Sequence, residues 1–583
     1  METRKTRSIY GESIKAAIGY DRPSLKSEDL PAFRPFYVDR ALIAQLRNNS
    51  NQLIVGRRGT GKTHLLGTFK ELIEEESPSD FVFMISIMDI FPQTPPNHDT
   101  ESRSFSKKRL AKAMFEGFIN IYFDKLLEAA DARLKSLVKI EKNSKLFEEA
   151  NTILQRLFEV IETGVPHTTK KTVRKTRRSS TTTSKGNGAA VAASIDNMRA
   201  KISASVNAGI RDRTDGFEDQ TEDEIAILSM DIHRVRELSL KLLDILKIET
   251  TYILIDEWME LDKRTPSDIQ PLFAQYLKAT FFNSKRFAVK IASVWHETTL
   301  YDKDDLQRSR GIQLTHDIIH DIDLDTAFLT SPDEIYDFCK TMLFKRLSFT
   351  CIALRPLERE GHVDDLFITE FFDSKENFKA FITASHGIPR DLMDIFHKCA
   401  IKMKLDFTTK CISHDLVYQV SRWKYSVDKR KNIDPSSPAQ ELLRKVNQYM
   451  DETGRRTFIV QNGKNGSSSA LRKLVDEELI HQIPSSVTPR CIMDTHKAFQ
   501  IDFGNFVDWV STKKSDVSEL LKETVVADFP ADFGSRVTEF EIDVDQVEAN
   551  LLTCPVCEKK IRKTHPVYKL HNLCPTCGTI QRI

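Results

Sequence analysis

The sequence predicts an α/β protein built on a parallel sheet, and three observations support this fold class. The apolar segment QLIV (52–55) is followed by a glycine-rich turn and then by a segment with the apolar period of an amphipathic helix. A second apolar segment, YILI (252–255), ends in two acids, and a third, FAVKIAS (287–293), follows a predicted helix. Short apolar runs that alternate with helices are typical of buried parallel strands.

Length and composition set the outer limits of this fold. A chain of 583 residues is too long for one hydrophobic core, so we expect three or four domains. Lys+Arg 85 and Asp+Glu 84 nearly cancel, which leaves only local charge as a guide to partners. The sequence has neither an apolar run of ~20 residues nor a secretory signal, and we expect a cytoplasmic protein.

Nine cysteines in a reducing compartment argue against a disulfide framework. Four of them cluster near the C-terminus. The remaining five are scattered and are expected to pack as small apolar side chains: Cys339, Cys351, Cys399, Cys411 and Cys491.

The glycine-rich turn is the first candidate site. Residues 56–63, GRRGTGKT, match G-x-x-x-x-G-K-[ST] at every fixed position and lie between the predicted strand and helix. In such a loop, backbone N–H groups surround phosphate oxygens, the lysine reaches the β- and γ-phosphates, and the hydroxyl ligates Mg²⁺. The alternative is a glycine-rich turn that binds nothing. The residues expected to bind nucleotide are Gly56, Arg57, Arg58, Gly59, Thr60, Gly61, Lys62, Thr63 and His64.

The second candidate is the acid pair at the end of YILI. Asp256 and Glu257 would lie at the carboxyl end of a parallel strand, where open α/β sheets bind ligands. Asp256 is expected to hold Mg²⁺, and Glu257 is expected to act as general base toward the attacking water. The alternative is an ordinary strand that runs into a polar turn.

Three further residues have two open interpretations each. The end of the third strand should place His296 or Glu297 near the γ-phosphate as a sensor, and His296 could equally be a capping or packing histidine. Arg308 and Arg310 follow that strand, and either could complete the site of a neighbouring subunit or lie on the solvated surface.

The segment HGIPRDL (386–392) places Arg390 in the first turn of a predicted helix that begins with proline. With GRRGTGKT and ILIDE, in this order, it resembles the AAA+ ATPases, most closely the branch of origin-recognition and replication-licensing initiators, with the STAND ATPases as near relatives. The resemblance covers roughly residues 35–100 and 245–425. It implies a P-loop NTPase sheet, a helical lid whose Arg390 touches the γ-phosphate, ATP as ligand and frequent oligomerisation.

The interval of about 190 residues between the loop and the acids is longer than in compact members of that family, which predicts an insertion. Residues 100–160 have the apolar period of a helix, with Leu110, Met114, Phe118 and Ile121 on one stripe. The following segment, around 166–185, is basic and lacks an apolar period. It is either a loop that contacts nucleic-acid phosphates or a solvated linker.

The C-terminal part predicts two small domains. Helices and strands over about 80 residues have the winged-helix pattern, and the second helix carries Arg472 and Lys473 beside several acids. It could therefore read DNA or contact protein.

The last segment has the spacing C-x₂-C-x₁₆-C-x₂-C, with the cysteines Cys554, Cys557, Cys574 and Cys577. This spacing predicts a structural Zn²⁺ ribbon in which four thiolates close the coordination shell. Two nearby histidines, His565 and His571, are spare candidate ligands.

The predicted domains are an N-terminal extension (1–34), an ATPase core (35–330, with the insertion at about 100–240), a lid (331–432), a winged helix (433–515), an acidic connector (516–550) and a zinc ribbon (551–583). The first hypothesis is an ATPase whose nucleotide state controls DNA binding, duplex or single-stranded, in genome maintenance or antiviral defence, acting as a homo-oligomer. The second hypothesis is an ATP-dependent switch or scaffold that regulates a protein effector.

Overall fold

The protein divides into two compact units in the computed structural model. The sheet unit comprises Ala32–Gly56 and Lys62–Ile322, and the C-terminal unit comprises Arg57–Gly61 and Asp323–Ile583. The structure describes residues 33–38, 40–90, 103–141, 149, 152–153, 156, 232–263, 269–303, 309–318, 320–325, 332–350, 352–359, 362–404, 407, 410–453, 456–461, 469–482, 496–513, 551–554, 556–557, 560–562, 568, 573–574 and 577–579.

A parallel sheet of five strands is the core of the sheet unit. The strands of this unit are β1 (Gln52–Val55), β2 (Phe81–Ser86), β3 (Thr251–Asp256), β4 (Phe287–Ser293), β5 (Tyr301–Lys303), β6 (Ser309–Gly311) and β7 (His320–Asp323). The order across the sheet is β2-β3-β4-β1-β7, and β5 pairs with β6 in a separate hairpin. This sheet confirms the α/β class that the sequence predicts.

β1, β3 and β4 are buried along their whole length, because helices cover the sheet. These helices are α1 (Arg40–Leu46), α2 (Lys62–Glu76), α3 (Arg103–Glu141), α4 (Ile232–Ile245), α5 (Glu260–Lys263) and α6 (Ile269–Leu277). The predicted stripe on α3 faces the core, since Met114 and Phe118 are buried and Leu110 and Ile121 pack against them.

An aromatic cluster joins α3 to the sheet. Phe118 lies edge-on to Phe83 of β2, with ring centroids 5.5 Å apart, and edge-on to Phe273 of α6, at 6.0 Å. All three side chains are buried. Burial of each such side chain stabilises the folded state by about 1.5–3 kcal/mol. α3 is therefore part of the hydrophobic core that the sheet forms.

The C-terminal unit is mainly helical and contains a three-stranded antiparallel sheet of order β10-β12-β11. Its helices are α7 (Pro332–Thr350), α8 (Leu366–Phe372), α9 (Lys375–Ser385), α10 (Pro389–Lys402), α11 (His414–Trp423), α12 (Pro438–Thr453), α13 (Ser469–Asp476) and α14 (Phe503–Lys513). Its strands are β8 (Glu358–Arg359), β9 (His362–Val363), β10 (Thr457–Gln461), β11 (Ile480–Gln482), β12 (His496–Ile501), β13 (Leu551–Thr553) and β14 (Lys560–Arg562).

The turn between α9 and α10 fixes the position of Arg390. α9 ends at Ser385, its C-cap residue His386 adopts a left-handed conformation with φ 52°, and Gly387 follows with φ 67°. α10 then starts at Pro389, whose missing N–H costs nothing at the first position of a helix. The predicted helix start is therefore where the structure has it.

Several predictions fall outside the described residues: the extension up to residue 32, the basic segment at 166–185, the connector at 516–550, Arg308, His565 and His571. Among the scattered cysteines, Cys339 and Cys399 are fully buried, as expected for small apolar side chains. Among the helices that the structure describes, none has the length and apolar character that crossing a lipid bilayer demands.

A buried polar cluster links α9 to the antiparallel sheet and α14 within the C-terminal unit. The His386 ring donates from Nδ1 to Gln500 Oε1 (3.1 Å), because its Nε2 accepts the backbone N–H of Phe503 (3.2 Å). His481 Nε2 lies 3.5 Å from Asp502 Oδ1, and the Lys429 ammonium donates to the same oxygen at 2.5 Å.

The charges of this cluster are uneven. Burial lowers the pKa of both His386 and His481, the latter to about 4, so both rings are neutral at pH 7. Burial opposes ionisation of Asp502, but the Lys429 ammonium and His481 hold its pKa well below the usual range. Lys429 and Asp502 therefore form a charged pair in this cluster, and the neutral His481 ring lies beside the Asp502 carboxylate.

We expect the protein to lose stability as pH falls from about 6.5 to 4. In this window His481 is protonated in the unfolded state and neutral in the folded state. This difference lowers the free energy of unfolding by about 2 kcal/mol at pH 5. Urea midpoints at pH 7.5 and pH 5 measure the loss, and His481→Gln should reduce it. His316→Gln, at an exposed histidine, is the control and should keep the wild-type pH dependence.

Candidate functional site

The predicted loop and the predicted acids lie at the same edge of the parallel sheet. The loop follows the carboxyl end of β1, Asp256 is the last residue of β3 and Glu257 follows it, and β4 pairs with both strands. From β1 the chain continues to β2 at one edge of the sheet, whereas β7 lies on the other side of β1. The strand order thus reverses at β1, which is where open α/β sheets bind ligands.

A direct hydrogen bond at this edge joins the loop to the acid strand. The Thr63 hydroxyl donates to Asp256 Oδ2 at 2.5 Å, across 193 positions of sequence. Lys62 starts α2, and its ammonium donates to the carbonyl oxygen of Gly56 at 2.7 Å, so the side chain folds back along the loop. Gly61 has φ 97°, a conformation that favours glycine.

Burial shapes the chemistry of the two acids. Asp256 is buried, and burial raises its pKa, while the hydrogen bond from Thr63 opposes that shift. A cation beside Asp256 would favour the carboxylate and remove this desolvation cost. Glu257 lies directly after the strand in a left-handed conformation with φ 57°. Such a conformation in a non-glycine residue is uncommon and clusters at functional sites.

Ser86 contacts Glu257, and the sequence analysis did not identify this residue as part of the site. Its hydroxyl donates to Glu257 Oε2 at 2.5 Å, and the residue ends β2 in register with Asp256 on β3. The available signal was a polar residue at the end of the apolar run FVFMI (81–85). That signal is not specific until the neighbour of β2 in the sheet is known.

Within the C-terminal unit, the loop residues Arg57 and Gly59 are held by one side chain and two backbone groups from distant parts of the chain. Asp325 accepts both the backbone N–H and the Nε–H of Arg57, each at 2.8 Å. The Arg57 guanidinium also donates to the carbonyl oxygen of His386 at 3.3 Å. Gly59 accepts the backbone N–H of Arg390 at 3.2 Å. No motif or periodicity in the sequence marks Asp325 as a partner of the loop.

Gly59 must be glycine for two reasons. Its φ of 84° is left-handed, and a Cβ at this position would lie 2.7 Å from Cβ of Arg390. Arg390, the predicted lid arginine, lies in the first turn of α10 and its backbone contacts the loop.

The guanidinium of Arg390 is paired with a carboxylate. It donates to Glu478 Oε1 in the turn after α13, whereas Asp391 Oδ1 lies farther away, 3.9 Å from Nε. Burial raises the pKa of Glu478, and the like charge of Asp391 adds to the rise. This ion pair lies within the C-terminal unit.

The remaining predicted residues occupy local structures. His296 lies in a short 3-10 turn, Trp295–Glu297, after β4. Arg310 on β6 lies 3.4 Å from Asp302 on β5, so it is engaged in its own hairpin. His64 Nε2 is 2.7 Å from the carbonyl oxygen of Phe33, and Arg58 is half-buried.

The four C-terminal cysteines come together as a candidate metal centre. Their sulfur atoms all lie within 4.8 Å of one another, with Cys554 and Cys577 at 3.6 Å and Cys557 and Cys574 at 3.7 Å. Four thiolates at ~2.3 Å from one tetrahedral ion would be separated by about 3.8 Å, whereas a disulfide requires about 2.05 Å. The geometry suits a shared metal ion such as zinc and excludes these two pairs as disulfides.

The surroundings of these cysteines favour metal binding. The backbone N–H groups of Cys557 and Val556 lower the pKa of the Cys554 thiol to about 6, which favours the thiolate that metals bind. Among the described residues around the four cysteines, the buried core contains little besides Cys554, Tyr568 and Cys574. Because so small a core cannot order a chain alone, a bound metal would supply folding free energy.

We expect one metal ion per chain at this centre, measurable by elemental analysis of the purified protein. Cys554→Ser together with Cys574→Ser should abolish the metal and lower hydrogen-exchange protection of β13 and β14. Cys339→Ser, at a buried cysteine of α7, is the control and should keep the full metal content. Full metal content in the double variant would contradict the assignment.

Comparison with known proteins assigns no family to this chain. No family model matches it, and no curated protein matches it. The residues and contacts above are therefore the basis for assigning a function.

Proposed function

We propose that the protein is a Mg²⁺-dependent ATPase of the AAA+ type whose nucleotide state controls its binding to DNA. The observation that carries the proposal is the 2.5 Å contact between Thr63 and Asp256, because these are the two side chains that the sequence assigns to Mg²⁺. A hydroxyl and a carboxylate are hard oxygen ligands of the kind that Mg²⁺ prefers. The ion would neutralise charge on the β- and γ-phosphates.

Lys62 and the start of α2 supply the phosphate-binding chemistry. The first N–H groups of a helix lack intrahelical partners and attract anions, and α2 begins at the loop itself. Lys62 now donates to a neutral carbonyl oxygen, and a phosphate oxygen is the stronger acceptor for an ammonium group. We therefore assign Lys62 to the β- and γ-phosphates of ATP.

Glu257 is proposed to act as the general base that polarises the attacking water. It lies next to Asp256, and its carboxylate is positioned from one side by the Ser86 hydroxyl. Its backbone is fixed by the N–H that Glu257 donates to Asp256 Oδ1 at 2.9 Å. A carboxylate held in one orientation beside the phosphate loop suits proton abstraction.

The DNA-binding part of the proposal rests on residues 433–515. We interpret α12, the β10-β12-β11 sheet, α13 and α14 as a winged helix, with α13 as the helix that approaches DNA. The predicted zinc ribbon (551–583) and the basic segment at 166–185 would add contacts to DNA phosphates. Assembly into a homo-oligomer is part of the same proposal.

One observation favours the alternative, a nucleotide-dependent switch that regulates an effector through protein contacts. Lys473 on α13 donates to Glu477 Oε1 at 2.5 Å, so a basic residue offered to DNA is already neutralised by its own helix turn. A helix face with internal ion pairs is better suited to a protein partner than to a phosphate backbone.

We expect Lys62→Ala to weaken binding of Mg²⁺–ATP at least about tenfold, because a charge-assisted contact to phosphate is lost. Equilibrium binding of radiolabelled ATP with Mg²⁺ measures the effect. Lys70→Ala, on the exposed side of the same helix, is the matched control and should bind like wild type. Equal retention of ATP by Lys62→Ala and wild type would overturn the nucleotide proposal.

Glu257→Gln should keep ATP binding and reduce phosphate release by at least about a hundredfold, since general-base catalysis contributes 10²–10⁴ in rate. Phosphate release under single turnover is the measurement. Glu260→Gln, three residues on at the start of α5, is the control. Unchanged release in Glu257→Gln would indicate a protein that binds ATP without turning it over by this route.

Filter binding against duplex and single-stranded DNA, with an ATP analogue or ADP over a salt series, separates the two functions. The first predicts an affinity that depends on nucleotide and falls with salt, and deletion of residues 166–185 should flatten the salt slope. No binding at low salt, or affinity indifferent to nucleotide, would favour the effector switch.

A further inference from the structure

We propose that Gln270 is a positioning residue for Glu257: its side chain joins the turn after β3 to the turn after β4 and so fixes the backbone from which Glu257 extends. The inference rests on the proposed function, because it takes Glu257 as the general base. Its basis is the set of hydrogen bonds made by one buried amide, together with the left-handed conformation of Glu257. All of these residues belong to the sheet unit.

Gln270 is a buried polar residue in an apolar environment. It is the second residue of α6, its side chain is fully enclosed, and the other buried residues of this helix are apolar. Burial of an amide is unfavourable unless its hydrogen bonds are made, whereas an apolar side chain of similar size carries no such cost. The value of glutamine at this position therefore lies in its hydrogen bonds.

These hydrogen bonds lead to the two turns beside the acids. Oε1 of Gln270 accepts the indole N–H of Trp258 at 2.9 Å and the backbone N–H of Thr299 at 2.7 Å. Nε2 donates to the carbonyl oxygen of Glu297 at 2.9 Å. Trp258 directly follows Glu257, whereas Glu297 and Thr299 follow β4. One side chain therefore sets the distance between the two turns.

The Trp258 end of this bridge acts on Glu257. Trp258 is fully buried, donates its backbone N–H to Ala292 of β4 at 3.2 Å, and packs edge-on against Phe273 at 5.6 Å between ring centroids. Glu257 has φ 57°, a conformation that persists only where the surrounding contacts enforce it. The anchored Trp258 therefore opposes relaxation of Glu257 and keeps its carboxylate at the Ser86 hydroxyl.

Gln270 is in turn held through its own backbone. Asp262 in α5 accepts the backbone N–H of Ile269 at 3.2 Å and that of Gln270 at 3.3 Å. These are two of the N–H groups that lack partners at the start of a helix. Because α5 lies directly after the acids, the start of α6 is tied to the same segment that Gln270 positions.

The test is a double-substitution cycle on the full chain, with phosphate release under single turnover as the measurement. We expect Gln270→Met to reduce release about ten- to a hundredfold, because a displaced base loses its alignment with the attacking water. Affinity for Mg²⁺–ATP should stay within about twofold of wild type, because the substitution leaves Lys62 and Thr63 in place. In the Glu257→Gln background, the same substitution should reduce release by less than about twofold, since Gln270 acts through the base.

Gln275→Met, at an exposed position of the same helix, is the matched control and should release phosphate like wild type. Trp258→Phe keeps a buried ring and removes the indole N–H, so it tests the bridge should Gln270→Met fail to fold. It should lower release in the same direction and show the same dependence on Glu257.

A second measurement needs no nucleotide. Gln270→Met and Trp258→Phe should both lower hydrogen-exchange protection of the backbone N–H groups of Trp258 and Leu261, which are bonded in the turn after β3. Gln275→Met should leave that protection at its wild-type level.

The outcomes separate this inference from the proposed function. An equal reduction of release by Gln270→Met in both backgrounds would show a role in stability alone and would overturn the positioning role. Release that Gln270→Met leaves unchanged would overturn it as well. If Glu257→Gln alone releases phosphate at the wild-type rate, the failure lies instead in the proposed function, because Glu257 is then not the base.

Discussion

The parallel pairing of β4 with both β1 and β3 is the constraint on which the candidate site depends. Val55 pairs with Ser293 and Ile255 pairs with Ile291, so the strands that carry the loop and the acids are held one strand apart. No local interaction could bring Thr63 to Asp256 across 193 positions. The entropic cost of closing a loop rises by only about 0.6 kcal/mol for each doubling of the loop's length. A long insertion is therefore tolerated once its helices pack into the core.

Charge pairing in low-polarity surroundings is the corresponding constraint in the C-terminal unit. Lys424 is held by Asp391 and Asp394, and Lys429 is held by Asp502, all largely buried. Buried ions are costly unless they are paired, and Asp391, which follows Arg390 in the chain, is engaged with Lys424. The arginine is left with Glu478, whose own ionisation is opposed by burial.

The α/β class could be predicted, and the candidate site residues could be selected, because both depend on local patterns. Strand, loop and helix around Lys62 are contiguous in sequence, and the spacing of the four C-terminal cysteines carries the geometry of a metal shell. Ser86, Asp325 and Glu478 could not be found in this way. Each acts through a partner 88 to 268 positions away, and an isolated serine or acid has no periodicity that marks its neighbour. Arg310 shows the reverse case, because its partner Asp302 is local and only the hairpin makes the contact visible.

Asp325 shows how a residue outside the glycine-rich loop would influence the nucleotide binding proposed for that loop. It accepts the backbone N–H and the Nε–H of Arg57, which fixes both the main chain and the side chain of one loop residue. A loop ordered in advance loses less conformational entropy when a ligand arrives, at about 1–2 kcal/mol for each residue already fixed. The carboxylate also adds negative charge beside a predicted phosphate site, and it is tolerable there because the Arg57 guanidinium neutralises it. Preorganisation and charge compensation are therefore supplied by the same pair, and removal of either partner would affect both at once.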